Sequence, residues 1–378
     1  MDFELSEEQS MLRDSVLRFV QDSYDFAERQ RLTAAPLGYS ADHWRHFADM
    51  GWLALPLAEA NGGLGGTAVD VTVLTGALGR GLVLEPFLPS VLLGGRLVEA
   101  LGDAAQKARL LPGLAAGEVR LALAFAEPSS RYELQHVATQ AVAAEDGWRL
   151  SGQKSVVLQA ASADLLLVVA RSAGAVGEAE GISVFLVAPE AAGLRRQDYR
   201  LADGQPASDL WLDQVPAELL GAVPGPVLAT ALPALREVLD HALCAICGEA
   251  VGIMGAVLEL TRDYVRTRNQ FGRAIGDNQV IQHRLADMFG ATEEARALTD
   301  LTAMRLAEGD PRASALVAAM AAKVLACARF VGEQGIQLHG GIGMTDAYPV
   351  GHYYKRLLTL EGVFGSAAHH LGRYAARM

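Results

Sequence analysis

The stretch Arg266-Thr-Arg-Asn-Gln-Phe-Gly-Arg273 is the most informative part of this 378-residue chain. It places three guanidinium groups and an aromatic ring around one glycine. Arginine side chains bind phosphate groups through paired hydrogen bonds, so this composition is typical of a phosphate or nucleotide site. The same residues, taken alone, could also be a solvated helix end.

A second glycine cluster, Gln337-Leu-His-Gly-Gly-Ile-Gly343, comes later in the chain. It follows a predicted helix, whereas the dinucleotide fingerprint of a Rossmann unit follows a strand and opens a helix. It is therefore not that fingerprint. A helix C-cap with a tight turn explains the cluster equally well when it is considered by itself.

Helical patterns surround both clusters. The apolar spacing predicts helices from Pro233 to about Arg268, from Gln279 to about Glu308, from Arg312 to His339, and after Tyr348. The connections between them are short, which favours an antiparallel bundle.

Before this bundle the period of the sequence changes. From Leu121 short apolar runs alternate with polar and glycine-bearing turns; they are LALAFA, ATQAVAAE, WRLSG, ADLLLVVARS, ISVFLVAP and DLWLD. No helical pattern separates them, so we expect an antiparallel barrel or sandwich rather than a parallel sheet. Prolines mark the exit from this region, at positions 216, 224, 226 and 233.

The N-terminal third reads as helices joined by glycine-rich turns. Ser6 and Gln9 have the spacing of a capping box, and a second helix is predicted after Ser40. The turn Asn61-Gly-Gly-Leu-Gly-Gly66 precedes another helix start at Thr67. The chain is thus predicted to be mainly α with a central β domain: a helical domain over 1–120, a β barrel over 121–225 and a helical bundle over 226–378.

Composition excludes some classes of function. The formal net charge is -12 without a basic stripe, which disfavours nucleic-acid binding. Purely apolar runs such as Leu165 to Ala170 are shorter than the roughly 20 residues of a membrane span, and the acidic start is unlike a signal peptide. We therefore expect a soluble cytoplasmic protein. The pair Cys244 and Cys247 lies among apolar neighbours and is interpreted as buried packing rather than as a metal or redox site.

Taken together, these motifs resemble the acyl-CoA dehydrogenase family over nearly the whole chain. The matching segments, in order, are Asn61 to Gly66, Ala126-Glu127-Pro128, Gly152-Gln-Lys154, Arg268 to Gly272, Asn278-Gln279, Gln337 to Gly343 and Tyr348-Pro-Val350. The C-terminal segments are the most specific part of the likeness.

The resemblance implies a helix, barrel and helix architecture, a dimer or dimer of dimers, and FAD as cofactor. It also implies that hydrogens are removed from carbons α and β of an acyl-CoA thioester and that electrons pass to an electron-transfer flavoprotein. One subunit of the family holds the pyrophosphate and adenosine of an FAD whose ring lies in the neighbouring subunit. By that match the half-site residues of this chain are Arg268, Gln270, Phe271, Ile275, Asn278, Gln279, Gln337, Leu338, Gly340 and Gly341.

The half that would hold the flavin ring departs from the family. The family usually has a threonine before Glu-Pro and glycines after it, but here Ala126 precedes and Ser129-Ser-Arg-Tyr-Glu133 follows. Where the family commonly has Trp-Ile-Thr, this chain has Val156-Val157-Leu158. Three apolar side chains cannot donate a hydrogen bond to a flavin.

The catalytic base is also missing from its family position. An ungapped match from Tyr348 places the family's Glu-Gly-Thr on Phe364-Gly365-Ser366, and phenylalanine cannot take a proton. The alternative position used by some members falls on Ala242, beside Asp240 and His241. Glu361, which a gapped match would select, is kept as the weak candidate for the base.

These departures favour one interpretation among three. Heteromeric members of the family, which act on bulky or dicarboxylic thioesters such as steroid side chains, pair a large catalytic subunit with a small subunit that resembles this chain. The alternatives are a homo-oligomeric dehydrogenase with a relocated base and a flavin-free scaffold of the same fold. An intact diphosphate clamp argues against the scaffold.

Overall fold

The computed structural model describes residues 3–221 and 230–378 and divides into two compact units. One unit combines the chain up to Arg31 with Thr67–Val83 and Leu243–Met378; the other combines Leu32–Gly66 with Leu84–Ala242. The expected boundary between residues 225 and 226, with Pro224 and Pro226, lies outside the described residues. The three-part division therefore stays a prediction.

Helices account for most of the described chain. The α-helices are α1 Glu7–Ser23, α2 Phe26–Ala34, α3 Ala41–Asp49, α4 Ala68–Arg80, α5 Arg96–Leu101, α6 Ala104–Ala115, α7 Leu232–Thr267, α8 Gln279–Ala307, α9 Ala313–His339, α10 Pro349–Phe364 and α11 Ala367–Ala375. A π-helix spans Phe87–Gly95, and short 3-10 turns span Glu59–Asn61, Ala160–Ser162, Ile275–Asp277 and Gly340–Met344.

The helix starts predicted from capping residues are confirmed. Ser6 and Gln9 form the two reciprocal bonds of a capping box at the start of α1, and Ser40 accepts a bond from the backbone of His43 at the start of α3. Thr67 begins α4 with a second capping box. Helix α2 was not predicted, because its sequence is largely polar and Leu32 is its only buried apolar residue.

The core of the first unit contains the two cysteines. Cys244 and Cys247 are buried and unbridged, as the sequence predicts, and burial raises the pKa of the Cys244 thiol to about 12. Helix α7 and the segment Ala313–Met344 are long and apolar enough to cross a membrane by length and composition. Most of each apolar window is buried inside the protein, however, which is also typical of core helices.

The second unit contains a seven-stranded sheet. Its strands are β1 Leu121–Ala124, β2 Gln140–Ala144, β3 Gly147–Leu158, β4 Leu165–Arg171, β5 Ile182–Val187, β6 Leu194–Arg200 and β7 Pro206–Leu219. The pairings β4-β2-β3-β7-β5 return to β4, so the sheet closes on itself as a barrel. Most pairings are antiparallel, but β1 and β2 pair parallel with β4. The expected antiparallel barrel is therefore confirmed, with two parallel pairings that the sequence did not indicate.

A buried arginine lies at one end of this barrel. Arg171, the last residue of β4, is only 5% exposed, and its guanidinium donates five hydrogen bonds. All five acceptors are backbone carbonyl oxygens, those of Gln135, Val137, Ala173, Glu178 and Glu180, at 2.8–3.3 Å. One side chain thus fixes the loop before β2 and the loop between β4 and β5.

Candidate functional site

The arginine-rich stretch forms a small hairpin directly after α7. Strands β8, Asn269–Gln270, and β9, Arg273–Ala274, pair across a two-residue turn. Both turn residues have positive φ, 53° at Phe271 and 83° at Gly272, as a type I′ turn requires. The Phe271 ring is fully exposed at the tip. The chain therefore presents a large apolar side chain to the outside in a backbone conformation that phenylalanine rarely adopts.

Arg268 connects the helix to this hairpin through its backbone alone. Its N–H donates to the Tyr264 carbonyl at 2.8 Å, and its carbonyl accepts from Ile275 at 2.9 Å. Its side chain is exposed, and no hydrogen bond or ion pair holds the guanidinium within residues 3–221 and 230–378. The position of the residue is thus fixed while its charge is available to a ligand.

The polar side chains of the hairpin and of the turn that follows it mostly form hydrogen bonds within this segment. The Asn278 side chain donates to the Ile275 carbonyl at 2.9 Å and accepts from Arg273 at 2.5 Å. Gln270 donates to the neighbouring carbonyl of Asn269 at 2.8 Å. Gln279 is exposed at the first position of α8, where a helix dipole favours negative charge.

The second glycine cluster lies at the end of α9. Gln337 is exposed, whereas the Leu338 side chain is buried, so Leu338 can offer only its backbone to a cofactor. Gly340 has φ 65° and ψ −141°, a conformation essentially restricted to glycine. A side chain built at Gly340 or Gly341 would meet nothing within 4 Å, so this surface is open.

An aromatic stack brings the two clusters together. The buried His339 ring stacks on Tyr264 with 4.5 Å between centroids, and Tyr348 lies 5.0 Å from the same ring. His339 Nδ1 is 2.8 Å from the Gly335 carbonyl, and burial lowers the pKa of this histidine. Tyr264 is one helical turn before Arg268, and His339 directly precedes Gly340. This contact was not predicted from the sequence, where an aromatic side chain beside each cluster is its only signal.

Glu127, next to the altered ring-side residues, belongs to a buried ion pair. Lys154 Nζ lies 2.6 Å from the Glu127 carboxylate, and the two side chains are 0% and 3% exposed. The carboxylate also accepts from the backbone of Ala138 at 2.8 Å and of Thr139 at 3.0 Å. Burial lowers the pKa of Lys154 to about 8. Burial also acts to raise the pKa of Glu127, but the Lys154 charge and the hydrogen bonds from Lys154 and Thr139 together hold the pKa of that carboxyl below its usual value. The pair therefore stabilises the barrel and offers no free group.

The three apolar ring-side residues lie where β3 is irregular. Val156 has φ 53°, an outlier for a β-branched residue, and its N–H donates to Asp209 at 3.0 Å. Val157 and Leu158 are buried. Gln159, which follows them, also has positive φ, and its buried Nε2 finds no acceptor among the described residues. This amide is a donor that was not predicted from the sequence.

The three candidate positions for a base differ in their surroundings. Phe364 is buried at the end of α10, so the ungapped position holds only a ring. Glu361 accepts from Arg329 at 2.6 Å, and its side chain is 13% exposed. Ala242 is fully buried, and its neighbour His241 lines a cavity. The Glu361 carboxylate is thus engaged by a guanidinium rather than free.

The comparisons with known proteins agree with this architecture. Profiles of the acyl-CoA dehydrogenase N-terminal, middle and C-terminal domains match residues 6–118, 122–215 and 232–378. The acyl-CoA dehydrogenase FadE28 of Mycobacterium tuberculosis is 30% identical over 334 residues, covering 88% of this chain and 91% of that protein.

Two solved structures are similar over nearly their whole length. A chain of the Tcur3481-Tcur3483 steroid ACAD variant is 30% identical with a TM-score of 0.86, covering 98% of this chain and 97% of that chain. An FAD complex of PigA shares the fold with a TM-score of 0.90 at 23% identity, covering 100% and 99%. The chain therefore belongs to the acyl-CoA dehydrogenase family, whose members are FAD-linked oxidoreductases that act on acyl-CoA thioesters.

Proposed function

We propose that this chain is the small subunit of a heterotetrameric acyl-CoA dehydrogenase. It supplies the adenosine-diphosphate half of an FAD site, and a homologous large subunit supplies the ring pocket and the base. The assembly desaturates a bulky acyl-CoA thioester between carbons α and β in the cytoplasm and passes electrons to an electron-transfer flavoprotein.

One observation carries this proposal. The Arg268 guanidinium and the Phe271 ring, on a hairpin whose backbone is fixed, have no role inside the described chain. An exposed cation and an exposed aromatic ring in one motif are typical of a surface that meets another molecule.

The residues present fit the diphosphate half of FAD. Arg268 offers charge-assisted hydrogen bonds, the open surface at Gly340 and Gly341 lets a phosphate approach the backbone, and α8 begins at Gln279, shortly after the hairpin in the chain. Gln337 and Gln279 add exposed amides at the two helix ends. FAD, when bound, supplies the acceptor for the hydride that leaves the β carbon.

The same chain lacks groups for the other steps. Phe364 cannot take the α proton, and Glu361 is held by Arg329. Val157 and Leu158 are buried apolar residues without a donor. In this proposal the chain binds and orients the cofactor, and the proton is removed by the large subunit.

The relatives support a two-chain assembly. The steroid ACAD variant that is 30% identical to this chain is named as a pair of proteins, Tcur3481 and Tcur3483. Two unlike chains with complementary half-sites would give one complete site per heterodimer, and a two-fold axis would give two per tetramer.

Size-exclusion chromatography with flavin quantitation tests the proposal. The chain expressed alone is expected to be colourless or nearly so. Co-expression with the large homologue from the same genome is expected to give a two-plus-two assembly with one FAD per heterodimer. A yellow homotetramer with one FAD per subunit and dehydrogenase activity would refute it.

A self-sufficient homo-oligomeric dehydrogenase is the second candidate, and Gln159 is the observation that favours it. Its unsatisfied Nε2 could replace the donor that Leu158 cannot supply. If so, Gln159→Leu would abolish flavin retention in the chain expressed alone. In the heterotetramer proposal, the same substitution leaves flavin content unchanged.

A further inference from the structure

The second unit contains a cavity that none of the family motifs accounts for. It has a volume of about 210 Å³ and lies between α5 and the first turns of α7. Its lining residues are Arg96, Glu99, Ala100, Glu237, Val238 and His241. Four of the six carry charged or titratable side chains, so the cavity suits a polar ligand.

Arg96 has donors left over after its protein contacts. Its Nη1 donates to the Pro56 carbonyl at 2.7 Å and lies 3.6 Å from Glu99. No residue in the described ranges accepts a hydrogen bond from Nε or Nη2. These two nitrogens form one edge of the guanidinium, and that edge matches the two oxygens of a carboxylate.

Glu99 does not occupy the edge formed by Nε and Nη2 of Arg96. Its Oε1 accepts from the Ala58 backbone and from the Asn61 side chain, both at 2.8 Å. The carboxylate is therefore turned towards the glycine-rich turn that begins at Asn61. Its other oxygen, Oε2, lies 3.6 Å from Nη1 of Arg96.

His241 adds a neutral hydrogen-bonding group. Burial and the nearby Arg96 charge lower its pKa, which Glu237 and Asp240 only partly offset. The neutral imidazole has one N–H donor, and neither ring nitrogen has a hydrogen-bond partner in the described part of the chain. A ligand oxygen can accept from this ring as well as from Arg96.

The size and charge of the cavity restrict the ligand. A cavity of about 150 Å³ holds benzene, so this one takes a group slightly larger than that. Glu237 and Glu99 already contribute negative charge, so a dianionic phosphate is less suitable than a single carboxylate. A short chain that ends in one carboxylate matches these constraints.

We propose that this cavity binds a carboxylate group through the free edge of Arg96 and the ring of His241. The carboxylate belongs either to a free short-chain acid or to the far end of an acyl thioester. The site lies in one compact unit of this chain and is independent of the flavin half-site.

Isothermal titration calorimetry on the full chain tests this proposal with two matched ligand pairs. Pentanoate and pentanamide have the same shape, but the amide is neutral and carries an NH2 donor in place of one carboxylate oxygen. Glutaryl-CoA and pentanoyl-CoA differ in the terminal carboxylate. We expect the carboxylate member of a pair to bind at least tenfold more tightly than its partner. Selectivity within the first pair assigns a free acid, and selectivity confined to the second pair assigns an acyl end.

Variants inside and outside the cavity distinguish binding at this site from a nonspecific effect of removing a positive charge. Arg96→Gln is expected to remove the tenfold selectivity, while Arg236→Gln, at an exposed arginine of α7 outside the cavity, leaves it unchanged. Because Arg96 also holds Pro56, Ala100→Leu serves as a second variant that fills the cavity and keeps this bond. Equal binding of both members in both pairs, or unchanged selectivity in Arg96→Gln and Ala100→Leu, would overturn the proposal.

Discussion

Arg268→Ala should weaken FAD retention without destabilising the fold. The guanidinium is exposed and makes no hydrogen bond or ion pair within the described residues, so its removal breaks no internal contact. The two backbone bonds of Arg268, to Tyr264 and Ile275, are kept by alanine. The substitution should therefore lower the affinity for FAD and leave the stability of the fold unchanged.

The magnitude follows from the bonds that a guanidinium makes to a diphosphate. Each charge-assisted bond contributes about 1.5–3 kcal/mol, which corresponds to roughly 10- to 150-fold in affinity. The assay is flavin absorbance of the co-purified complex during dialysis, together with thermal unfolding of the chain alone. Arg262→Ala is the control, because Arg262 is exposed on the same helix and pairs with Asp263. Unchanged flavin content in Arg268→Ala, or equal loss in both variants, would refute the half-site assignment.

Three further changes are expected to have distinct outcomes. Glu361→Gln should leave turnover of the complex within about threefold, a barrier change below 1 kcal/mol, whereas a loss of several hundredfold would make Glu361 the base. Lys154→Met should lower the free energy of unfolding by about 3–5 kcal/mol in urea titrations, because it leaves Glu127 buried without its ion partner; a loss below about 1 kcal/mol would contradict this. Burial and the nearby Arg373 charge lower the pKa of His370 to about 4. On acidification the unfolded chain therefore binds a proton at His370 before the folded chain does, and the free energy of unfolding falls as the pH drops below about 6.5. The free energy of unfolding should be lower by about 2 kcal/mol at pH 5, and this loss should be absent from His370→Gln. Equal slopes of the free energy of unfolding against pH in the two proteins would exclude this role.

Local signals allowed the helical framework to be predicted from sequence. Ser6 and Thr67 form their capping boxes with residues three positions away, so the pattern is complete within one turn. Strand β6 was missed because it pairs at the edge with β7 and alternates charged with partly buried residues rather than forming an apolar run. The last predicted helix is divided at Gly365, whose φ of 113° ends α10.

The candidate site was only partly predictable, for a related reason. Arg268 and Gly340 could be identified because each belongs to a contiguous motif. The stack of His339 on Tyr264 and the pairing of Arg96 with His241 in one cavity join residues that are far apart in sequence. Such contacts depend on how helices pack, and periodicity alone does not determine which faces meet.

Backbone oxygens of two loops surround the Arg171 guanidinium, as the oxygens of a crown ether surround a cation. Its ligands are five carbonyl dipoles of the backbone, and it takes part in none of the ion pairs of the described residues. Dissolved salt screens pairs of exposed charges but competes poorly for a cation enclosed by peptide groups. The two loops should therefore stay closed at ionic strengths that dissociate the surface ion pairs. They should also open together, because the release of one loop leaves N–H groups of the buried guanidinium without acceptors.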